Sequence, residues 1–126
     1  MLVPILKQGQ YLIASLQAAL RDADLVKLRD ALTEQVGTHR SSGVIIDLTA
    51  LDVLDSFACR ILADIANMVR LRGAETVIVG IQPEVAFSMV QLGLRLDGVA
   101  TALDLEEGLE YMKRRTGRIT HDCYPR

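Results

Sequence analysis

Hydrophobic residues along this 126-residue chain fall into two patterns, short continuous runs and stripes at steps of three and four, and the two alternate. The first runs, LVPIL and YLIASL, are separated by KQGQ, whose Gly9 suits a tight reversal, so the chain is expected to open with a β-hairpin. Between about Asp24 and Val36, Leu25, Leu28, Ala31, Leu32 and Val36 recur with helical spacing, and Gly37 is the expected C-terminal stop. GVIIDL is apolar almost throughout. Its β-branched Val44, Ile45 and Ile46 favour a strand covered on both faces, as at the centre of a parallel sheet.

After the turn TALDVLD, Phe57, Ile61, Ile65 and Val69 share a helical face with Ala58, Leu62 and Ala66 beside it, while Arg60, Asp64 and Asn67 lie opposite. Gly73 is the expected end of this second helix. TVIVGI at 76–81 repeats the buried-strand pattern, and Pro83 with Glu84 opens a third helix whose Val85, Met89 and Leu92 are expected to face inward before Gly93. In DLEEGLEYMKRR, Asp104 and Glu107 have the spacing of a reciprocal cap, and Lys113, Arg114 and Arg115 suit the negative end of the helix dipole. The order ββαβαβαβα requires crossover connections, which are nearly always right-handed. The predicted class is therefore α/β, a mixed, mostly parallel β-sheet with helices packed against it, in one domain over residues 1–116 with 117–126 as a C-terminal tail.

Composition narrows the classes of function. Half of the residues are hydrophobic, enough to build the core of one domain. The 14 basic and 16 acidic side chains leave a net charge of -2, without the basic excess by which nucleic-acid binders displace counterions, so no nucleic-acid partner is expected. There is no signal-like segment and no apolar run near the ~20 residues of a spanning helix, so no membrane partner is expected and the cytoplasm is the expected location. Cys59 and Cys123 lack CxxC partners and read as free thiols.

The chemistry-bearing residues converge on LDVLDSFACRILADIA, where Asp55 and Ser56 stand directly against an apolar run. A serine there is a helix-start residue, a nucleophile or a phosphate acceptor. His39, in GTHRSSG, which reads as a polar loop between the first helix and the central strand, and His121, in the tail, are not placed beside Ser56 by local sequence, which disfavours a small α/β hydrolase with a catalytic triad. Asp47, Asp52 and Asp55 are candidates to gather at the carboxyl end of the central strand, as in a magnesium-bearing phosphotransfer domain. The only lysines, Lys7, Lys27 and Lys113, do not end a late strand, so that reading is also disfavoured. The simpler roles are helix capping for Asp55 and turn formation for Asp52 and Thr49. Cys59 reads as a small buried side chain, and Phe57 as either core or contact surface. No phosphate-binding glycine loop and no HExxH are present, and neither a cofactor nor a metal is expected.

The segment GVIIDLTALDVLDSFACRILADIANMVRLRGAETVIVGIQPEVAFSMVQLGL resembles the central part of a STAS domain, the fold of anti-sigma-factor antagonists. The likeness extends from the hairpin to LDLEEGLEYM, is carried most by DLTALDVLDSF and GIQPEVA, and is greatest to scaffold proteins of the bacterial stressosome, the RsbS type. It implies the STAS fold and a non-enzymatic stressosome scaffold that sequesters a switch serine kinase until phosphorylated. The resemblance makes Ser56 the phosphorylation site, Ser88 a secondary candidate, and Asp52, Asp55, Ser56 and Phe57 the kinase-binding residues. The implied partners are an RsbT-like switch serine kinase, RsbR-like STAS paralogues, further copies of the chain and, as an additional candidate, an RsbX-like phosphatase. Leu51, Val53 and Leu54 in the turn are expected to be exposed and to contribute contacts. The alternative within the same fold is a simple anti-sigma-factor antagonist that binds an anti-sigma kinase directly.

Overall fold

A computed structural model describes residues 3–93 and 99–117. Strands β1 (Ile5–Gln8) and β2 (Tyr11–Ser15) form the hairpin, turning at Gly9, whose φ is +62°. There follow α1 (Asp22–His39), β3 (Gly43–Asp47), α2 (Ser56–Leu71), β4 (Glu75–Val79), α3 (Pro83–Gln91), β5 (Ala100–Ala102), α4 (Leu105–Met112) and a π-helical turn, Lys113–Gly117. The strands lie in the order β1-β2-β3-β4-β5. The β1/β2 pair is antiparallel and the other pairs are parallel, so the sheet is mixed and mostly parallel, as predicted.

β3 is central, and its alternation divides the molecule into two layers. Val44 and Ile46 join Leu12, Ala14 and Ile78 beneath α1, α2 and the inner face of α3. Ile45, from the opposite face, joins Ile13, Val77 and Val79 beneath α4, with Met112 fully buried. Coverage on both sides explains why β3 reads as an unbroken apolar run rather than an alternating one. All the parallel strands direct their carboxyl ends to one edge, where the β3–α2 and β4–α3 loops emerge.

Several local expectations are corrected. Helix α1 runs through Gly37 and ends at Arg40, a left-handed residue with φ 50° whose N–H, like that of Ser41, donates to the Val36 carbonyl. Gly37 instead accommodates a neighbour, because an added Cβ would meet the Arg72 guanidinium at 2.6 Å. His39 is thereby the last residue of a helix, not part of a loop. Helix α1 also begins two residues earlier than its apolar stripe, and its Asp24 carboxylate accepts from the Arg21 N–H (3.0 Å). That hydrogen bond holds the Asp24 pKa below the usual carboxylate value.

Leu92 is exposed, because α3 ends at Gln91 before a further turn could bring it inward. At α4, Asp104 accepts from the Glu107 N–H (2.9 Å), while the Glu107 carboxylate accepts from Leu103 instead of Asp104 (3.2 Å). Arg115 does not cap helical carbonyls. It forks onto the Glu75 carboxylate (3.1 and 3.2 Å), which raises its pKa, and stands 5.9 Å from the centre of the Tyr111 ring. Residues 118–126, including His121 and Cys123, lie outside the described residues.

Two glycines inside helices yield opposite expectations for one substitution. A Cβ at Gly108 would stand 2.6 Å from Cγ1 of fully buried Val79, so α4 must move off the sheet. Overpacking of that kind costs about 1–3 kcal/mol, against the ~1 kcal/mol gained by replacing glycine in a helix. At Gly37 the obstructing group is the end of a flexible arginine, whose one exposed bond, from Nε to the Thr33 carbonyl (3.2 Å), can be exchanged for water as the side chain swings aside. Thermal melts should therefore show Gly108→Ala lowering the Tm and Gly37→Ala leaving it unchanged or raising it.

Candidate functional site

The loop between β3 and α2 is held in shape from beneath. Leu48 continues the ladder by donating to the Val79 carbonyl (2.9 Å), and the Leu51 N–H turns back to the Leu48 carbonyl (2.9 Å). Leu48, Leu51 and Leu54 are all buried, so two of the three turn residues expected to be exposed are core, and only Val53 projects outward. The reason is spacing: a loop that bends at Leu51 returns Leu54 to the hydrophobic layer and leaves Asp52 and Val53 at the bend. Asp47 closes the other side by accepting from the Thr49 N–H (2.9 Å) and its hydroxyl.

A second loop steadies the first. The Gln82 side-chain amide donates to the Thr49 carbonyl (2.5 Å). Gly80, with φ +71°, is packed so closely to Thr49 that a Cβ there would overlap the threonine hydroxyl. Sequence reasoning missed both contributions; the available signal was a glycine directly after an apolar strand and a glutamine directly before Pro83.

Helix α2 starts where this loop ends. Asp55 has extended backbone angles and its carboxylate accepts from the Ala58 N–H (2.8 Å), which makes it the N-cap. Ser56 is the first helical residue, exposed, with no part in the cap hydrogen bond. Its own N–H belongs to the helix-end donors that have no intrahelical partner, at the positive end of the α2 dipole. Phe57 is half-buried and packs against the main core, so it supplies both core and rim. Cys59 is buried, and desolvation together with the Asp55 charge raises its thiol pKa, keeping it protonated.

The expected residues are thus only partly gathered. Asp52, Asp55, Ser56 and Phe57 lie together at the start of α2. Ser88 is nearby on α3, where it helps to line a shallow hollow with Asp52, Val53, Pro83, Glu84 and Phe87, and its hydroxyl donates to the Glu84 carbonyl (3.1 Å). Asp47 is engaged with Thr49, and among the described residues no group of three or more potential metal ligands occurs. His39 lies at the opposite end of the sheet, near the start of β3, whereas Ser56 follows its end. A second hollow of about 180 Å³ separates the β2–α1 and β3–α2 loops, with Leu16, Leu51 and Leu54 among its apolar lining and Asp22, Asp52 and Asp55 among its polar lining.

Residues 3–107 match the STAS domain family. The chain belongs to that family. Among solved structures it is similar to an RsbS from Moorella thermoacetica in a serine-to-glutamate form, with 34% identity and a TM-score of 0.81, covering 90% of this chain and 96% of that one. It is also similar to a chain in the molecular architecture of the stressosome, a signal integration and transduction hub, with 36% identity and a TM-score of 0.79 over 89% of this chain and 97% of that one. The RsbT co-antagonist protein RsbRA of Bacillus subtilis (strain 168) is 34% identical over 92 residues, which are 73% of this chain and 34% of that protein. The chain spans about a third of the length of such RsbR relatives. This is a stressosome-related STAS protein, RsbS/RsbR-like in sequence and fold. No helix among the described residues is long and apolar enough to cross a membrane.

Two outcomes test the local geometry. Asp55→Ala should cost about 0.5–2 kcal/mol in denaturant unfolding through loss of the cap, whereas Ser56→Ala should stay within about 0.5 kcal/mol of the parent. At Cys59 the folded state holds its proton more tightly than the unfolded chain, so its contribution to stability is complete below the unfolded thiol pKa and is lost as pH rises through the folded one. Peptide mapping after thiol labelling at neutral pH should find Cys59 unmodified in the native protein and modified after denaturation.

Proposed function

We propose that this chain is a non-enzymatic stressosome scaffold and negative regulator, which sequesters an RsbT-like switch serine kinase and releases it once Ser56 is phosphorylated. The observation that carries this reading is the division of roles at the start of α2: Asp55 makes the cap, and the exposed Ser56 hydroxyl makes no hydrogen bond among the described residues. A group dispensable to the fold is available for modification. Phosphate at this position adds about -1.5 to -2 charge at the positive end of a helix, which favours it locally, yet beside Asp52 and Asp55 it changes the surface that the kinase would touch. The kinase-binding residues are Asp52, Asp55, Ser56 and Phe57. Ser88 is the secondary candidate should Ser56 not be the acceptor, with its hydroxyl turned to the carbonyl of its own helix.

The likeness to RsbS, to a stressosome chain and to RsbT co-antagonist proteins supports assembly with RsbR-like paralogues and with further copies of this chain, and a kinase of the RsbT type as the regulated partner. An RsbX-like phosphatase would reverse the switch. The setting is cytoplasmic, where such a kinase and ATP meet, and the transfer chemistry belongs to the partner.

Intact mass after incubation with the cognate kinase and ATP should show one added phosphate, absent from Ser56→Ala; an equally phosphorylated variant would move the site to Ser88 or Thr49. In titration calorimetry Ser56→Ala should retain the kinase, while Ser56→Asp should weaken it by at least the ~1.4 kcal/mol of a tenfold loss. Equal affinities of the two folded variants would remove the charge switch. Light scattering should find a dimer or larger, and a monomer at high concentration, alone and with RsbR-like partners, would leave only the simple antagonist.

A further inference from the structure

Beside the Ser56 loop the chain exposes large apolar side chains that the fold does not need. Val53 is 72% exposed, Phe87 63% and Val90 79%. Single exposed hydrophobes are ordinary on a protein surface, but these are grouped. Val53, Pro83 and Phe87 line one hollow, and Pro83, Phe87 and Val90 follow each other at steps of four and three along one stripe of α3. The stripe continues through Ala86 to the neighbouring hollow that contains Leu103, itself 80% exposed. The inward face of α3 is carried by Val85 and Met89, so Phe87 and Val90 can be changed without opening the core.

Among the described residues the rim of this band has one sign: Asp52 and Glu84 border the first hollow and Glu107 the second, and no described lysine or arginine lines either. A second copy meeting the band symmetrically would bring the same carboxylates against it, and like charges across an interface oppose association. A partner with an apolar socket ringed by basic residues meets no such repulsion. Val53 stands three positions before Ser56 and lines a hollow with Asp55, the residue next to that serine, so a protein holding Ser56 has Val53 within its reach. A typical stable interface, about 800 Å² per partner, extends well beyond one loop.

We propose that the α3 stripe centred on Phe87, together with Val53, is an apolar anchor for the switch kinase, which would present a socket ringed by Lys and Arg. This inference rests on the kinase-holding function proposed above. Phe87 then supplies affinity, while Ser56 supplies the switch.

Titration calorimetry with the purified cognate RsbT-like kinase should find F87S at least about tenfold weaker than the parent, as for a buried aromatic anchor. Its thermal melt should be unchanged, and Ser56 should still accept one phosphate at saturating kinase. V53S should weaken binding in the same direction, which serves as the test if F87S does not fold. Added salt should weaken the parent more than E84Q. Unaltered kinase affinity in folded F87S and V53S overturns the anchor alone. Sedimentation of F87S as a smaller assembly with unaltered kinase affinity also overturns it and gives the band to self-association. A parent chain that neither binds the kinase nor takes phosphate overturns the anchor and the proposed function together.

Discussion

Burial of β3 on both faces is the constraint from which the architecture follows. Val44, Ile45 and Ile46 are fully removed from solvent, and a strand in that condition must have neighbours on both edges and helices on both sides. The parallel partners β2 and β4 require crossovers, which α1 and α2 supply, and α4 closes the remaining face through Met112 and the close approach at Gly108. One consequence bears on function. The carboxyl ends of the parallel strands share an edge, and the loop leading to Ser56 leaves from the middle of it.

Around that loop, rigidity and exposure are assigned to different residues. Leu48, Leu51 and Leu54 anchor it in the core, Asp47 and Gln82 tie down Thr49, and Asp55 satisfies the start of α2. Asp52, Val53 and Ser56 are left to face outward on a fixed frame. A site arranged in this way can gain or lose charge without a change of fold, because no hydrogen bond that holds the loop passes through the serine hydroxyl. The reading of Ser56 as a switch for partner affinity, rather than for folding, rests on that separation.

Sequence periodicity was sufficient for the order of elements, the central strand, the hairpin, the inward face of α2 and the placement of Asp55 beside Ser56 at a helix start. These depend on repeats of two and 3.6 residues and on short-range cap chemistry, which are local properties of the chain. The resemblance of DLTALDVLDSF and GIQPEVA to the STAS family agrees with the domain match and with the fold.

Tertiary structure decided what local pattern leaves open. Gly37 looked like a helix stop because glycine favours that position, yet the Arg72 side chain crosses there and the helix continues to Arg40. Leu51 and Leu54 looked exposed because they flank charged residues in a turn, but the bend returns them to the core, and Leu92 looked buried because its spacing fits a helix that has already ended. The tie from Gln82 to Thr49 joins residues 33 positions apart, and Val53 and Phe87 border one hollow only because the β3–α2 loop lies beside α3. Sequence by itself thus determined the order of helices and strands, though not all of their ends, and which serine begins α2, since those follow from neighbours within a few residues. Which side chains are buried, and which apolar ones remain outside beside Ser56, was decided only when distant segments packed, since exposure is a property of the assembled surface.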